Sequence, residues 1–166
     1  MNIERAELDH FNDIIALFRE VARDMNKKGF MQWGEDYPRE DMIRNHIKDR
    51  YLWIMTGDGR ILATILITPK QDREYLEVGW EDTDGRPVVI HRLAVRLGFQ
   101  GKGLAAAMMD FAEDHARKQG YTSVRLDTYY DNERAQDFYK KRGYEYRGIT
   151  HFKQRDGQYY CYEKRL

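Results

Sequence analysis

The sequence predicts a mixed α/β fold: one sheet of six to seven strands, mostly antiparallel, flanked by about four helices. Three observations predict it. Strand-like apolar runs and amphipathic helical stretches follow one another in the order β-α-α-β-β-(β)-β-α-β-α-β-β, which is neither a strict βα alternation nor an all-β series. Glycine and proline fall at the edges of these stretches rather than inside them. With 166 residues and no low-complexity linker or internal repeat, residues 1–166 read as a single domain long enough to bury a core.

Each element has its own signal. Residues 3–6, Ile-Glu-Arg-Ala, are a short first strand. From Asp9, a candidate N-cap, apolar residues recur at Phe11, Ile14, Ile15, Phe18, Ala22 and Met25, a helical spacing that Gly29 would stop. Pro38 suits the first position of a second helix, with Glu40 and Asp41 in its first turn and Met42, Ile43, His46 and Ile47 on one face. Two apolar runs around Gly57-Asp58-Gly59 read as a hairpin. The segment from Glu74 to Trp80 is a candidate further strand, where Glu77 and Glu81 would sit on an exposed edge. Residues 88–95 form an apolar run interrupted by His91 and Arg92, and read as a central, mostly buried strand. A helix follows with Leu104, Ala107, Met108, Phe111, Ala112 and His115 on one stripe, stopping at Gly120. Residues 123–129 are a strand, and residues 132–144 a short helix ending at Gly143. Two last strands meet near Asp156-Gly157. The final one carries three tyrosines suited to cross-strand pairing and offers an edge for a homodimer.

Composition excludes several classes. Lys and Arg number 28 against 28 Asp and Glu, so no net field steers the chain to nucleic acid or to an anionic membrane. Cys161 is the sole cysteine, which removes an internal disulfide and a cysteine zinc site. His10, His46, His115 and His151 lack zinc-ligand spacing, so no metal is expected. The charged start has no apolar h-region, and the longest apolar run, residues 61–68, is too short for a span. The expected location is cytoplasmic.

The stretch Val95–Glu113 carries the chemistry. It places Gly101, Lys102 and Gly103 between a strand and a helix. Helix-start amides have no partner within the helix, and the macrodipole adds positive charge there, so a phosphate fits such a bend. Glycines let the backbone come close to a ligand, and Arg96 and Lys102 add charge. The same glycines would also serve a plain tight turn. Neither the P-loop pattern nor the dinucleotide fingerprint is present.

Gln100-x-x-Gly103-x-Ala105 resembles the (Q/R)-x-x-G-x-(G/A) motif of the GNAT superfamily of acyl-CoA N-acetyltransferases. The context agrees: His91–Val95 precedes it as a strand, an amphipathic helix follows, and residues 125–132 and 135–144 resemble the family's late strand and its N…A-x-x-x-Y-x-x-x-G-(F/Y) helix. The matched region runs from residue 88 to 146. The segment Met31–Pro38 resembles one seen in a bacterial branch of the family.

The resemblance implies a GNAT fold with the sheet splayed in the middle, and acetyl-CoA as cosubstrate. It places Gln100, Gly101, Lys102, Gly103, Leu104 and Ala105 around the pyrophosphate, and Leu93, Ala94 and Val95 along the pantetheine arm. Asn132 matches a position that hydrogen-bonds the cofactor; it equally suits a helix N-cap. Tyr139 matches the family's general acid for the departing thiolate, against the plainer reading of a core aromatic beside Phe138. His91 and Asp127 are the candidates for accepting the ammonium proton. His91 also reads as a hydrogen-bonded core histidine, and Asp127 as a cap or a partner of Arg92 or Arg125. Phe30, Trp33 and Tyr37 would line the acceptor pocket, or form a lid packed on the core. The expected reaction is direct attack by a primary amine of a small molecule or peptide. The competing reading is a coenzyme A-binding sensor with the same fold and no catalysis.

Overall fold

The computed structural model describes residues 1–30, 33–34, 36–153 and 155–166; Met31, Gln32 and Glu35 of the aromatic segment lie outside them. The strands are β1 (Asn2–Arg5), β2 (Leu52–Gly57), β3 (Arg60–Thr68), β4 (Pro87–Val95), β5 (Ser123–Tyr129), β6 (Glu145–Thr150) and β7 (Tyr159–Arg165). The helices are α1 (Phe11–Lys27), α2 (Glu40–Lys48), α3 (Leu104–Lys118) and α4 (Glu133–Lys141). Strand order is β1-β2-β3-β4-β5-β7-β6, a mixed sheet as expected. Only β4 and β5 are parallel among the pairings of β1–β2, β2–β3, β4–β5, β5–β7 and β6–β7. The chain forms two compact units, Met1–Ile67 with His91–Ala112, and Thr68–Ile90 with Glu113–Leu166.

In the first unit, the apolar stripe of α1 (Phe11, Ile14, Leu17, Phe18, Val21 and Ala22) packs with Ile43 and Ile47 of α2 and with Leu52, Ile54, Ile61, Leu66 and Ala94. The β2–β3 hairpin turns at Asp58 (φ +52°) and Gly59 (φ +72°), two consecutive left-handed residues that match the twist of the flanking strands. The start of α1 differs from the sequence expectation. Asp9 is not its N-cap but lies in a 3-10 turn, Leu8–His10, and the Glu7 N–H donates to His10 Nδ1 at 3.0 Å. Pro38 likewise precedes α2 rather than opening it; Arg39 is the N-cap.

Helix ends are uniform. Past each C-cap stands one left-handed residue, Gly29, Arg50, Gly120 or Gly143. In each case its N–H and the next one reach back to carbonyls of the last turn, as Gly29 to Asn26 (3.1 Å) and Phe30 to Met25 (2.9 Å) do after α1. Three of these stops are the glycines read from the sequence; the fourth is an arginine.

In the second unit, Tyr75, Val78, Val89, Phe152, Tyr159 and Cys161 form a core. Two expectations fail here. The segment from Glu74 to Trp80 is not a strand: Arg73–Glu77 is a 3-10 turn that buries Tyr75. And β7 is no sheet edge. It lies between β5 and β6, paired antiparallel to both, so the edge belongs to β6. The ring contacts expected of its tyrosines are present, Tyr146 lying 5.7 Å from Tyr160 and 6.0 Å from Tyr162. The parallel β4–β5 ladder covers Pro87↔Ser123 to Val89↔Arg125 and ends there, while both strands run on.

Candidate active site

In the first unit, β4 leads into the glycine loop. Arg96 anchors the start of that loop: its N–H donates to the Leu62 carbonyl (2.8 Å), Nε to the Ile61 carbonyl (2.7 Å) and Nη2 to Asp13 (2.5 Å). The Leu97 N–H reaches Glu20 at 3.4 Å. The Arg96 guanidinium, expected to add charge near a phosphate, is held by α1 and β3. Farther on, the Gln100 side-chain amide donates to the Val95 carbonyl at 3.1 Å, tying the loop back onto the end of β4.

Gly98, Gly101 and Gly103 all have left-handed φ, +84°, +73° and +82°. A Cβ built on any of them would meet nothing within 4 Å. These glycines are therefore required by backbone conformation, and the space above them is open. The first hydrogen bond of α3 runs from the Ala107 N–H to the Gly103 carbonyl (3.0 Å), so the amides of Leu104, Ala105 and Ala106 precede the helical ladder. Open space, left-handed glycines and a helix start form a bend of the kind that suits an anion. Lys102 stands beside it, its Nζ 5.1 Å from the centroid of the Phe99 ring.

Arg92 interrupts β4 with φ +53°, a conformation that costs a non-glycine residue on the order of 1–3 kcal/mol. The period-two alternation that would align His91 with Leu93 and Val95 is broken at this point. His91, Arg92 and Leu93 are half-buried, and Ala94 and Val95 are buried. The Arg92 side chain turns to Tyr37, with Nε 3.2 Å from the hydroxyl, and to His46, with Nη1 2.9 Å from Nδ1. Nothing in the local sequence marks Arg92 beyond its being a charge within an apolar run.

Among the aromatics assigned to an acceptor pocket, Trp33 is buried at 4% exposure and packs edge-on against Phe18 with centroids 5.6 Å apart. Tyr37 is half-buried, 6.2 Å from Trp33. Phe30 is half-buried and closes the end of α1.

In the second unit, Asn132 caps α4, its Oδ1 accepting from the Ala135 N–H at 3.1 Å. Tyr139, on α4, is half-buried and packs against Phe138 and Tyr144 at centroid distances of 5.2 and 5.7 Å. Burial, and then the negative charge of Asp127, push its phenol above the ordinary value; Arg142 opposes them. Asp127 accepts from the Tyr75 hydroxyl at 2.5 Å. Burial and the same carboxylate push the Tyr75 phenol well up, so it stays protonated as the donor. Tyr75 as the partner of Asp127 could not be read from the sequence, because the two stand 52 positions apart. Arg125 is engaged by Glu163 (3.3 Å) and Gln71 (2.7 Å) rather than by Asp127. The Cys161 thiol is buried in β7 and pushed up, first by burial and then by Asp127, which suits a core residue rather than a nucleophile.

Among the described residues no group of His, Cys, Asp or Glu is arranged to hold a metal ion, and no helix is long and apolar enough to cross a membrane.

Comparison with known proteins converges on one family. The model of the acetyltransferase (GNAT) family matches residues 16–144. The uncharacterised N-acetyltransferase YesJ of Bacillus subtilis strain 168 is 25% identical over 155 residues, covering 92% of this chain and 83% of its own. An uncharacterised N-acetyltransferase encoded in the pepI 3′ region of Lactobacillus delbrueckii subsp. lactis is 33% identical over 138 residues, covering 79% and 76%. A crystal structure of a GNAT-family acetyltransferase from Streptococcus agalactiae 2603 superposes with a TM-score of 0.85 at 26% identity, covering 99% and 95%.

Proposed function

Because the chain belongs to the GNAT acetyltransferase family and is an acyl-CoA-dependent acetyltransferase, we propose that residues 1–166 act as one domain that moves an acetyl group from acetyl-CoA to a primary amine by direct attack. The observation that carries this reading is the loop at Gly98–Gly103, with its three left-handed glycines, open space and a helix start behind it. Gln100 to Ala105 would hold the pyrophosphate mainly through backbone N–H groups, with Lys102 adding charge. Leu93, Ala94 and Val95 would hold the pantetheine arm through their backbone, and Asn132 would add a side-chain contact. When bound, acetyl-CoA supplies a thioester carbonyl as the electrophile. The chain's own part is to place the amine against it, offer a β4 N–H to the oxygen that gathers charge, and move protons.

Tyr139 is assigned the proton for the leaving sulfur; a phenol held above its ordinary pKa keeps that proton at neutral pH. His91 is assigned the role of base. What favours it over Asp127 is the Tyr75 hydroxyl already bound to that carboxylate. Tyr37 would line the acceptor site with Phe30, Trp33 backing it from the core.

The test has two arms. Calorimetry with coenzyme A should show saturable binding, which Gly101→Val or Gly103→Val weakens. Thiol release across a library of primary amines should then find turnover. Binding without any turnover leaves the sensor reading; no binding at millimolar coenzyme A ends both.

A further inference from the structure

We propose that the acceptor amine also carries a carboxylate, and that Arg92 receives it; this rests on the acetyl-transfer reading above. Arg92 is the one residue of β4 with a left-handed φ. Arg92 is half-buried, and its guanidinium is steadied on two sides by Tyr37 and His46. Nε donates to the Tyr37 hydroxyl at 3.2 Å, and Nη1 lies 2.9 Å from His46 Nδ1. An arginine can only donate, so Nδ1 of His46 is the acceptor and carries no proton. The guanidinium carbon also sits 5.4 Å from the centroid of the Tyr37 ring.

The arginine thus has its direction set, with no counter-charge among the described residues. Four other buried or half-buried arginines meet carboxylates, Arg96 with Asp13, Arg125 with Glu163, Arg142 with Glu113 and Arg147 with Glu81, whereas half-buried Arg5 lies over the Trp53 ring and half-buried Arg19 donates to the Pro38 carbonyl. Among the described residues no Asp or Glu lies within ion-pair distance of Arg92, and Nη2 has no protein acceptor. A partly desolvated cation gains from a counter-charge that a ligand supplies. A planar fork whose Nε and Nη1 are engaged presents its Nη2 edge, which suits a carboxylate oxygen. One positive charge balances one carboxylate; a doubly charged phosphate would call for a second cation, and His46 accepts here rather than carrying charge toward it. Arg92 directly precedes Leu93, the first β4 residue assigned to the cofactor arm. A carboxylate docked on it therefore tethers the amine to the strand along which the acyl group would lie. The class that fits is an amino acid or a similar small amino-carboxylate.

The experiment measures thiol release for matched pairs, the common amino acids and their carboxamides, with the wild type, Arg92→Gln and Arg92→Lys. Acetyl-CoA affinity and melting temperature are read alongside. The wild type should prefer at least one carboxylate over its amide by ~30-fold or more in kcat/KM, chiefly through KM. Arg92→Gln should erase that preference while acetyl-CoA still binds, and Arg92→Lys should restore part of it. Equal use of carboxylates and amides by the wild type, or a preference that survives Arg92→Gln, overturns the proposal. If acetyl-CoA binds and no amine is turned over, the transfer reading fails on its own. The Arg92 site is then judged by titrating the same pairs into coenzyme A-loaded protein. Heat from carboxylates alone that Arg92→Gln abolishes upholds it, and the lack of such heat sinks it.

Discussion

The Gln100 side-chain amide donates to the Val95 carbonyl at 3.1 Å, so the residue that opens the Gln-x-x-Gly-x-Ala motif is bound to the protein's own backbone. Its side chain ties the loop back onto the end of β4. Gln100→Ala should therefore weaken coenzyme A about 2–10-fold, the net worth of one neutral hydrogen bond, through a loosened loop. Gln100→Glu, which cannot donate to that carbonyl, should weaken it further. Calorimetry reads both; an unchanged affinity for Gln100→Glu would remove the tether from the account.

Gly103 tests conformation apart from space. Because a Cβ there meets no atom within 4 Å, any cost of Gly103→Ala comes from φ +82° alone. Stability should fall by about 1–2 kcal/mol in denaturant unfolding. The same change at Gly34, which also has open space but no left-handed φ, should leave stability within about 0.5 kcal/mol. Equal effects at the two positions would contradict this.

Tyr139→Phe should slow turnover by about 10²-fold or more while sparing acetyl-CoA affinity, as expected for loss of a general acid. Since the Tyr139 phenol is raised, its proton stays on as pH climbs through 9 and toward 10. The wild-type kcat profile should show no descending limb from this group in that range. A limb near pH 9 that Tyr139→Phe abolishes would refute the raised phenol.

Asp82 ties acid stability to the second unit. Burial disfavours its charge, yet hydrogen bonds from Ser123 (2.6 Å), Thr122 (2.5 Å) and the Gly85 N–H (3.0 Å), with Arg165 at 3.2 Å, win and hold its pKa below the ordinary value. A lowered folded pKa stabilises the fold above the unfolded value of about 3.9. That contribution is lost as pH falls below 4 toward the folded value. Asp82→Asn should lower stability at pH 7 and flatten this acid limb; Ser123→Ala should cost about 1.5–3 kcal/mol at pH 7. An acid limb as steep in Asp82→Asn as in the wild type would locate the titration elsewhere.

Arg50 is a left-handed residue in a helix stop that glycine fills elsewhere in the chain. Its ion pair with Glu7, 3.3 Å long and exposed on both sides, adds little. Arg50→Gly should therefore leave stability unchanged or raise it by up to about 1 kcal/mol, relief of strain exceeding the entropy that glycine adds to the unfolded chain. Thermal or denaturant unfolding decides it, and a clear loss would show that the ion pair matters more than the conformation.

The elements of this fold were legible because their signals are local. The stripe Phe11 to Met25, the turn at Asp58-Gly59 and the stops at Gly29, Gly120 and Gly143 each depend on neighbours a few positions away, and so did the glycine loop ahead of Leu104. The 3-10 turn at Arg73–Glu77 misled because its alternating apolar residues follow Tyr75, whose ring is drawn into a core built from β4, β7 and residue 152. Long-range partners were out of reach for the same reason. Tyr75 beside Asp127, Gln71 beside Arg125, and Tyr37 and His46 around Arg92 are joined only when distant segments fold together. By itself, then, the sequence determined the family, the order of elements and the glycine loop ahead of Leu104, since all of these are written in short spacings. Tertiary structure alone decided that β7 is interior, that Trp33 serves the core, and that Arg92 turns to Tyr37 and His46: burial and side-chain partners are properties of what surrounds a residue, not of what precedes it.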